Sequence, residues 1–390
     1  MKHFLYIFLL PMVHFVSNAQ VEATIMGELP EEVWETSGLI YDSGRLITHN
    51  DSGNEPILYE LDTINLTVNR RVVITNAENV DWEDIAQDDQ HFYIGDIGNN
   101  RGVRRDLSIL KILKEDFFSL EEVAAEKIQF TYEDQLEFVD SGNSDWDAEA
   151  LFVYQDEIII LTKQWKTNGT VAYSLPKTSG THTAQKLDGY QINGLVTGAT
   201  FQKENLILVG YSNLLNPFIT KIKGLDKRSI FGGQIEQERL KIGISQVEAV
   251  TFAGETEFFI SSENYENSNL SLNFKSRLYK ARFVANGLDD SPDVENSPQE
   301  TPKDSTDIPL QEHIRIKNSP TDSVLTIEAD IEFGTIEYLH IFDVTGRRIK
   351  EILLPDANPY YVDVSDFPVG VYFMTIKGGK KLISKSFVVD

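Results

Sequence analysis

Asp147-Ala148-Glu149-Ala150-Leu151-Phe152-Val153 is the stretch that decides the fold, because versions of it recur along the chain. Each version places a small or acidic residue before an apolar run, and a second apolar run follows roughly eight to ten residues later. A third run, in which apolar and polar residues alternate, closes each unit. Units of three or four strands spaced about 40–50 residues apart are typical of β-propeller blades. The versions of the stretch lie at residues 36–40, 82–86, 147–153, 197–201 and 247–251.

The number of blades depends on two segments outside the five repeats. Residues 21–26 alternate like a strand but belong to no complete unit, and we expect them to complete the last unit beside residues 277–283. A ring closed by strands from both ends leaves no free sheet edge. The alternative is a sixth blade within residues 115–145, although residues 117–123 favour a short helical insertion with Ser119 as its cap. The pattern favours five blades, with six as the alternative.

Composition and charge exclude several classes of function. The chain has 390 residues and a formal net charge of -26, whereas nucleic acids and anionic membranes both select basic surfaces. It contains no cysteine, so disulfides, thiolate metal sites and cysteine nucleophiles are excluded. Because 41% of the residues are hydrophobic, the chain can bury a sizeable core.

The N-terminus has the pattern of a secretory signal. Lys2 gives a positive head, residues 4–16 are apolar but short for a membrane span, and Ser17-Asn18-Ala19 offers small residues for cleavage. The alternative is a buried N-terminal helix. The sequence as a whole predicts four parts: a signal peptide at 1–19, a β-propeller at 20–286, a disordered acidic and proline-rich linker at 287–311, and a small β domain at 312–390.

Short strand patterns with intervening turns fill the C-terminal domain. Gly346 suits a tight turn that needs positive φ, and Gly378-Gly379 suits a hairpin. Seven or so short strands in a domain of this size favour a β-sandwich. The clearest strand patterns lie at residues 325–327, 338–342, 361–364, 370–376 and 385–389.

Two motifs in this domain carry a family resemblance. His340-Ile341-Phe342-Asp343-Val344-Thr345-Gly346-Arg347 is followed by Val364-Ser365-Asp366-Phe367-Pro368-Val369-Gly370-Val371-Tyr372 and then by a lysine-rich terminal hairpin. Together they resemble the C-terminal sorting domain (type A) of the Bacteroidetes type IX secretion system. The family usually begins with Tyr-Pro-Asn-Pro, where this chain has Ile316-Lys317-Asn318-Ser319-Pro320. The resemblance implies export through the periplasm to the outer cell surface or the medium, with the outer-membrane secretion machinery as partner. The alternative is an ordinary Ig-like binding module.

A second, looser resemblance covers the propeller. It rests on Thr48-His49-Asn50-Asp51-Ser52-Gly53-Asn54, Asp81-Trp82-Glu83-Asp84-Ile85-Ala86, Gly95-Asp96-Ile97-Gly98-Asn99-Asn100 and Asp147-Ala148-Glu149-Ala150-Leu151. These motifs resemble those of uncharacterised secreted propellers that carry a Trp-Glu-Asp-Ile-Ala motif. The resemblance implies the fold and export, and it implies no reaction.

Carboxylates recur where the channel of a propeller would open. Glu83, Glu149 and Glu248 occupy homologous positions before apolar runs, so we expect them to meet near one axis. Buried like charges repel strongly, and a cation relieves that repulsion. Calcium is the natural metal, since it prefers oxygen ligands. The alternative is structural: each glutamate accepts backbone N–H bonds from the next blade. The two interpretations are compatible.

Three functions remain open from the sequence. The first is a secreted protein that binds a ligand or glycan at the acidic mouth, and the second is a structural surface protein. The third is a glycoside or ester hydrolase with paired carboxylates, an argument by analogy of fold. We expect Lys163 to pair with one of the acids. The predicted ligand-binding residues are His49, Asp81, Trp82, Asp96, Asp147 and Trp165, and the catalytic candidates are Glu83, Glu149, Glu248 and Asp51.

Overall fold

The fold is almost entirely β-structure. The predicted signal peptide, the linker and the turn at Gly346 lie outside the described residues. In the part of the chain that is described, no helix is long and apolar enough to span a membrane. The computed structural model describes residues 20–213, 215–267, 272–284, 314–319, 324–329, 338–343, 348–352, 360–368, 370–378 and 381–389.

The strands of the N-terminal region follow the predicted runs. One short helix, α1 (Lys114–Ser119), and one 3-10 turn (Glu31–Val33) interrupt them. The strands are β1 (Gln20–Glu28), β2 (Thr36–Asp42), β3 (Arg45–Asn50), β4 (Ile57–Leu61), β5 (Val68–Ile74), β6 (Trp82–Gln87), β7 (His91–Asp96), β8 (Ser108–Leu113), β9 (Glu122–Val123), β10 (Glu126–Tyr132), β11 (Ala148–Tyr154), β12 (Glu157–Thr162), β13 (Thr170–Pro176), β14 (Gly180–Tyr190), β15 (Leu195–Gln202), β16 (Asn205–Tyr211), β17 (Pro217–Lys223), β18 (Gln234–Arg239), β19 (Val247–Phe252), β20 (Glu257–Ser262), β21 (Tyr265–Asn267), β22 (Leu272–Phe274) and β23 (Arg277–Val284).

Antiparallel pairing groups these strands into units of four. The strand orders are β2-β3-β4-β5, β6-β7-β8-β10, β11-β12-β13-β14, β15-β16-β17-β18 and β19-β20-β23-β1. The prediction that residues 21–26 complete the last unit is confirmed, because β1 pairs antiparallel with β23 from Gln20↔Val284 to Glu28↔Arg277. β10 pairs with β8, so the long segment after β8 supplies the fourth strand of the second unit. The cap expected at Ser119 is wrong: α1 ends at Ser119, and Leu113 precedes it as the N-cap.

The first strands of the units surround a common axis. Each of β2, β6, β11 and β15 contacts the next first strand, and β19 contacts β2. Residues of all these strands line one cavity of about 90 Å³. Leu39, Ile85, Phe152, Ala199 and Thr251 are part of its wall, and no charged side chain lines it.

The core lies between neighbouring units rather than inside any one of them. Phe92 and Trp82 of the second unit share a buried cluster with Leu58 of the first. The last and first units share another, in which Leu39 and Leu46 pack with Phe259. Burial between faces of adjacent sheets therefore joins each unit to the next, including the last to the first.

The C-terminal region forms two antiparallel sheets. β24-β25-β28 is the first and β27-β26-β29-β30 is the second, and their buried residues share one apolar cluster. The five predicted strand patterns are confirmed, and Gly378 pairs with Lys381 across the predicted hairpin. The strands are β24 (Ile314–Ser319), β25 (Val324–Ala329), β26 (Tyr338–Asp343), β27 (Arg348–Ile352), β28 (Tyr360–Asp363), β29 (Gly370–Gly378) and β30 (Lys381–Val389).

Candidate functional site

A β-bulge interrupts every first strand at a similar position. The residues that fall out of register against the second strand are Glu83 in β6, Glu149 in β11, Thr197 in β15 and Glu248 in β19. In β2 the shift takes in Ser37 and Gly38. A bulge re-aims the side chain of the extra residue. The three predicted glutamates therefore leave the ladder at equivalent points around the axis.

A repeated backbone hydrogen bond places more polar side chains beside the bulges. The residue after the second strand donates its N–H to the carbonyl of the residue just before the first strand. In four of the five units this contact brings two loop positions together at the same end of the axis. The donor–acceptor pairs are Asp51 to Glu35 (2.9 Å), Ile97 to Asp81 (3.1 Å), Lys163 to Asp147 (2.8 Å) and Glu263 to Gln246 (3.1 Å).

Carboxylates from several units meet at this end. Oxygens of Asp51, Asp81 and Glu83 lie within 4.8 Å of one another, and so do oxygens of Glu83, Asp147 and Glu149. Glu248 lies near enough for the charges of Glu263 and Glu149 to affect it. We call this set the acidic cluster: Asp51, Asp81, Glu83, Asp147, Glu149, Glu248 and Glu263.

Glu83 belongs to both carboxylate groups. Its residue is 5% exposed, and no described residue donates a hydrogen bond to its carboxylate. Burial raises the pKa of Glu83 well above its ordinary value, and the charges of Asp51 and Glu149 add to the effect. A Cβ on Gly98 would overlap the carboxylates of Glu83 and Asp81. A side chain at position 98 would therefore displace these carboxylates.

Glu149 has an internal counter-ion. Lys163 Nζ lies 2.5 Å from Glu149 Oε2, and both side chains are buried, which confirms the expectation that Lys163 pairs with one of the acids. The ammonium also lies 4.6 Å from the centre of the Trp165 ring. Burial opposes the charge, but the carboxylates around it, Glu149 first, raise the pKa of Lys163 well above its ordinary value. The Lys163 side chain therefore stays positively charged in the folded protein.

Asp147 and Asp96 are held by neutral and cationic donors. Asp147 accepts hydrogen bonds from the Asn99 N–H (2.7 Å) and from Trp165 Nε1 (2.8 Å). Arg104 Nη2 donates to Asp96 Oδ1 at 2.8 Å. Asp96, predicted as a ligand-binding residue, therefore lies in an ion pair beside the acidic cluster.

The remaining acids of the cluster also resist ionisation. Burial and the nearby Asp51 charge raise the pKa of Asp81 to about 7. Burial, followed by the same Asp51 charge, raises the pKa of Glu263 to about 8. Burial likewise raises the pKa of Asp51 and that of Glu248. This end of the axis concentrates carboxyl groups, and few cations of the described residues pair with them.

Two predicted ligand-binding residues are core residues instead. Trp82 is fully buried in the apolar cluster between the first two units, and its Nε1 donates to the Glu78 carbonyl at 3.2 Å. His49 is also fully buried and packs edge-on against Trp82, with ring centres 5.7 Å apart. Burial lowers the pKa of His49 to about 4. Neither ring reaches the surface of the described residues.

The structural alternative, in which Glu83, Glu149 and Glu248 accept backbone N–H bonds from the next unit, is wrong about which residue does so. Asp84, next to the bulge, accepts backbone N–H bonds from Ile85 (2.8 Å), Leu151 (3.0 Å) and Ala199 (3.2 Å). These donors lie on β6, β11 and β15. The carboxylate that joins the units is thus Asp84, and the hydroxyls of Ser37 and Thr197 add contacts to carbonyls of the next unit.

Sequence reasoning missed several of these residues. The sequence pattern counts Asp84 as part of an apolar run. The equivalent residues after the bulge are small, as at Ala150 and Ala249, and a carboxylate at this position is the signal that could have identified Asp84. Glu263 follows its second strand as Asp51 does, and the sequence pattern places both residues among the loops at the channel mouth, although it does not single out Glu263 as a site residue. Gly98 lies within the quoted Gly95-to-Asn100 motif, but its contact with Glu83 depends on tertiary structure.

The sequence comparison concerns the C-terminal region. Residues 319–390 match the family described as the secretion system C-terminal sorting domain. This confirms the predicted type IX sorting domain, which indicates a secreted or outer cell-surface protein exported through the periplasm, with the secretion machinery as a partner. No curated protein is significantly similar to the chain in sequence.

Solved structures give only distant likenesses. A PQQ-bound aldose sugar dehydrogenase from Streptomyces coelicolor has a TM-score of 0.39 at 8% identity, over 68% of this chain and 100% of its own. A putative oxidoreductase (glucose dehydrogenase) from Thermus thermophilus has a TM-score of 0.37 at 7% identity, over 67% and 100%. The β-propeller domain of Cps50 (Swd1) from Myceliophthora thermophila has a TM-score of 0.33 at 8% identity, over 92% and 97%. Likenesses this weak carry no argument about activity.

Proposed function

We propose that this protein is a secreted or cell-surface β-propeller that binds a calcium ion at the acidic cluster and a ligand or glycan at the same mouth. The sorting-domain match supports the location. The acidic cluster supports the cation. Calcium takes six to eight oxygen ligands and accepts carboxylates from irregular loops, which is the donor chemistry that this end of the axis offers.

The propeller in this proposal has five blades. Five first strands contact one another in a closed cycle, and residues of all five line one cavity. The proposed parts remain the signal peptide at 1–19, the propeller at 20–286, the linker at 287–311 and the sorting domain at 312–390. For the sorting domain we propose an Ig-like β-sandwich, supported by two sheets that share one apolar cluster.

One observation carries the cation proposal. Glu83 is buried, belongs to two groups of carboxylates, and receives no hydrogen bond from any described residue. Buried carboxylates usually have donors, because leaving a charged group unpaired is costly. A bound cation satisfies Glu83 and its neighbours at once, and its charge offsets their repulsion.

The ligand part of the proposal rests on Trp165. Its ring is half-buried, and its Nε1 is fixed by Asp147 at the edge of the acidic cluster. An indole face held in this way suits stacking on the apolar face of a sugar ring. Of the two predicted tryptophans, we therefore retain Trp165 as a ligand-binding candidate.

The hydrolase alternative is not favoured. Glu149 is already paired with Lys163 at 2.5 Å. That ion pair occupies a carboxylate that a glycosidase would need as its acid, base or nucleophile.

Calcium titration of the full chain tests the proposal. We expect heat of binding in isothermal titration calorimetry and a rise in Tm with calcium, because a ligand that binds only the folded state stabilises it by about 2.7 kcal/mol at a hundredfold excess over Kd. Glu83→Gln removes the shared carboxylate charge but keeps the shape of the side chain. This variant is expected to bind calcium at least tenfold more weakly.

Glu204→Gln is the matched control. Glu204 is exposed at the turn between β15 and β16, and its change should leave calcium binding as it is. Absence of calcium binding to the unaltered chain, or equal affinity in the Glu83→Gln variant, would contradict the proposal.

A further inference from the structure

The two halves of the acidic cluster differ in one respect: only one of them contains a cation of the protein itself. Asp51, Asp81 and Glu83 form the first half, and Glu83, Asp147 and Glu149 form the second. Lys163 pairs with Glu149 of the second half at 2.5 Å. No described lysine or arginine forms an ion pair with a member of the first half.

Lys163 is built into its position. The residue is 4% exposed, and its backbone N–H donates to the Asp147 carbonyl at 2.8 Å. The aromatic rings of Trp165 and Tyr211 lie 4.6 and 5.4 Å from its ammonium, and ring faces attract cations. Backbone, carboxylate and aromatic contacts thus hold the ammonium at one place.

We propose that the Lys163 ammonium takes the place of a second metal ion, so that the cluster binds one calcium ion in its first half. The inference rests on the proposed calcium function and adds its stoichiometry. Without Lys163, Asp147 and Glu149 would bind a second calcium ion. Glu83 would then bridge the two ions, because a carboxylate can ligate through both oxygens. Lys163 therefore determines how many ions the cluster binds.

Lys163→Met tests this inference, because methionine keeps much of the side-chain length without the charge. Calcium titration of the full chain should give about one ion per chain for the unaltered protein and about two for the variant. Lys163→Arg keeps the charge and should stay at about one. Lys186→Met is the matched control: Lys186 pairs with Asp134 at 2.8 Å on the surface, and its loss should leave the stoichiometry at about one.

The outcomes separate this inference from the proposed function. One ion in both the unaltered chain and the Lys163→Met variant overturns the inference alone, and so do two ions in the unaltered chain. No binding to the unaltered chain overturns both proposals.

A crystal structure of the unaltered protein with calcium provides a test that does not need the variant to fold. The expected ion lies among Asp51, Asp81 and Glu83, with the Lys163–Glu149 pair intact. An ion bound between Asp147 and Glu149, with Lys163 displaced, overturns the inference.

Discussion

Asp84 is the residue at which three first strands meet. Its two carboxylate oxygens accept one N–H from its own strand and one each from β11 and β15. The residue is 1% exposed, so water does not substitute for these bonds. Burial raises the pKa of Asp84 well above its ordinary value, and the three N–H donors oppose that rise. The side chain is therefore a fixed acceptor in the middle of the molecule.

Asp84→Ala should destabilise the protein strongly. It leaves three buried N–H groups without their acceptor, at about 1–3 kcal/mol each. We expect the free energy of unfolding in urea to fall by about 3 kcal/mol or more. Asp89→Ala, at an exposed turn a few residues away, should change it by less than about 0.5 kcal/mol. Equal effects of the two substitutions would show that Asp84 does not join the units.

Single residues show what the sequence can predict about the site. Glu83, Glu149 and Glu248 could be named because a repeated pattern places equivalent residues at equivalent points of a ring. The bulges that turn them out of the ladder could not be named, since they appear only in the pairing register. Trp82 was misassigned because a tryptophan beside acidic residues suits both a sugar platform and a core.

At the scale of elements, β1 closes the ring. It pairs with β23 along its length, and Val21 is buried in the cluster between the last two units. Without β1, the backbone groups of β23 would form an open sheet edge, which invites pairing between molecules. The pairing of Glu28 with Arg277 also joins the first strand of the propeller to its last strand.

Removal of residues 20–26 should therefore lower the Tm and promote self-association. We expect a fall of at least about 5 °C, because about 1 kcal/mol shifts the Tm of a domain of this size by about 2–4 °C. Thermal melting and analytical ultracentrifugation measure the two effects. An unchanged Tm with a monomeric shortened chain would refute the closing role of β1.

Two point variants on β1 provide the matched comparison. Val21 is 5% exposed and Ile25 is 58% exposed on the same strand. Val21→Ala should cost about 1–2 kcal/mol, since each buried methylene contributes about 0.8 kcal/mol. Ile25→Ala should cost much less, because its side chain already faces solvent.

The order of strands was harder to predict than their positions. The first three strands of each unit follow from local apolar runs and could be placed directly. β10 was missed as the fourth strand of the second unit, because α1 and β9 separate it from β8. It also pairs in parallel with β14 of the next unit. Such pairing is decided by tertiary packing, on which a local pattern carries no information.

At the scale of the whole molecule, charge and stability are coupled through the acidic cluster. The chain carries a formal net charge of -26, and several acids are forced together at one end of the axis. Burial raises the pKa of Glu83, Glu149 and Glu248 well above their ordinary values. Within this cluster the folded state therefore holds more protons than the unfolded state at neutral pH.

The sign of the pH effect follows from this difference. A carboxyl whose pKa is raised by folding contributes stability below its unfolded value, and that stability is lost as the pH rises through the folded value. Asp81, raised from 3.8 to about 7, and Glu263, raised from 4.5 to about 8, place the loss between those ordinary values and pH 8. His49, with its pKa lowered to about 4, acts in the opposite direction, but only below its ordinary value of about 6.5.

Without calcium, the Tm of the full chain should accordingly fall from pH 6.5, above which His49 no longer opposes the loss, to pH 8. The free energy of unfolding should decrease by about 1.4 kcal/mol per pH unit for each extra proton held by the folded state. With saturating calcium the fall should disappear, because the metal binds the ionised carboxylates and replaces the protons. Melting curves in a chelator and in calcium across this range measure both.

The Glu83→Gln variant should show a shallower fall in the chelator, since it lacks one of the titrating groups. A Tm that rises with pH in the chelator would contradict the calcium proposal. It would mean that the carboxylates of the cluster are ionised and are paired within the protein without a bound cation.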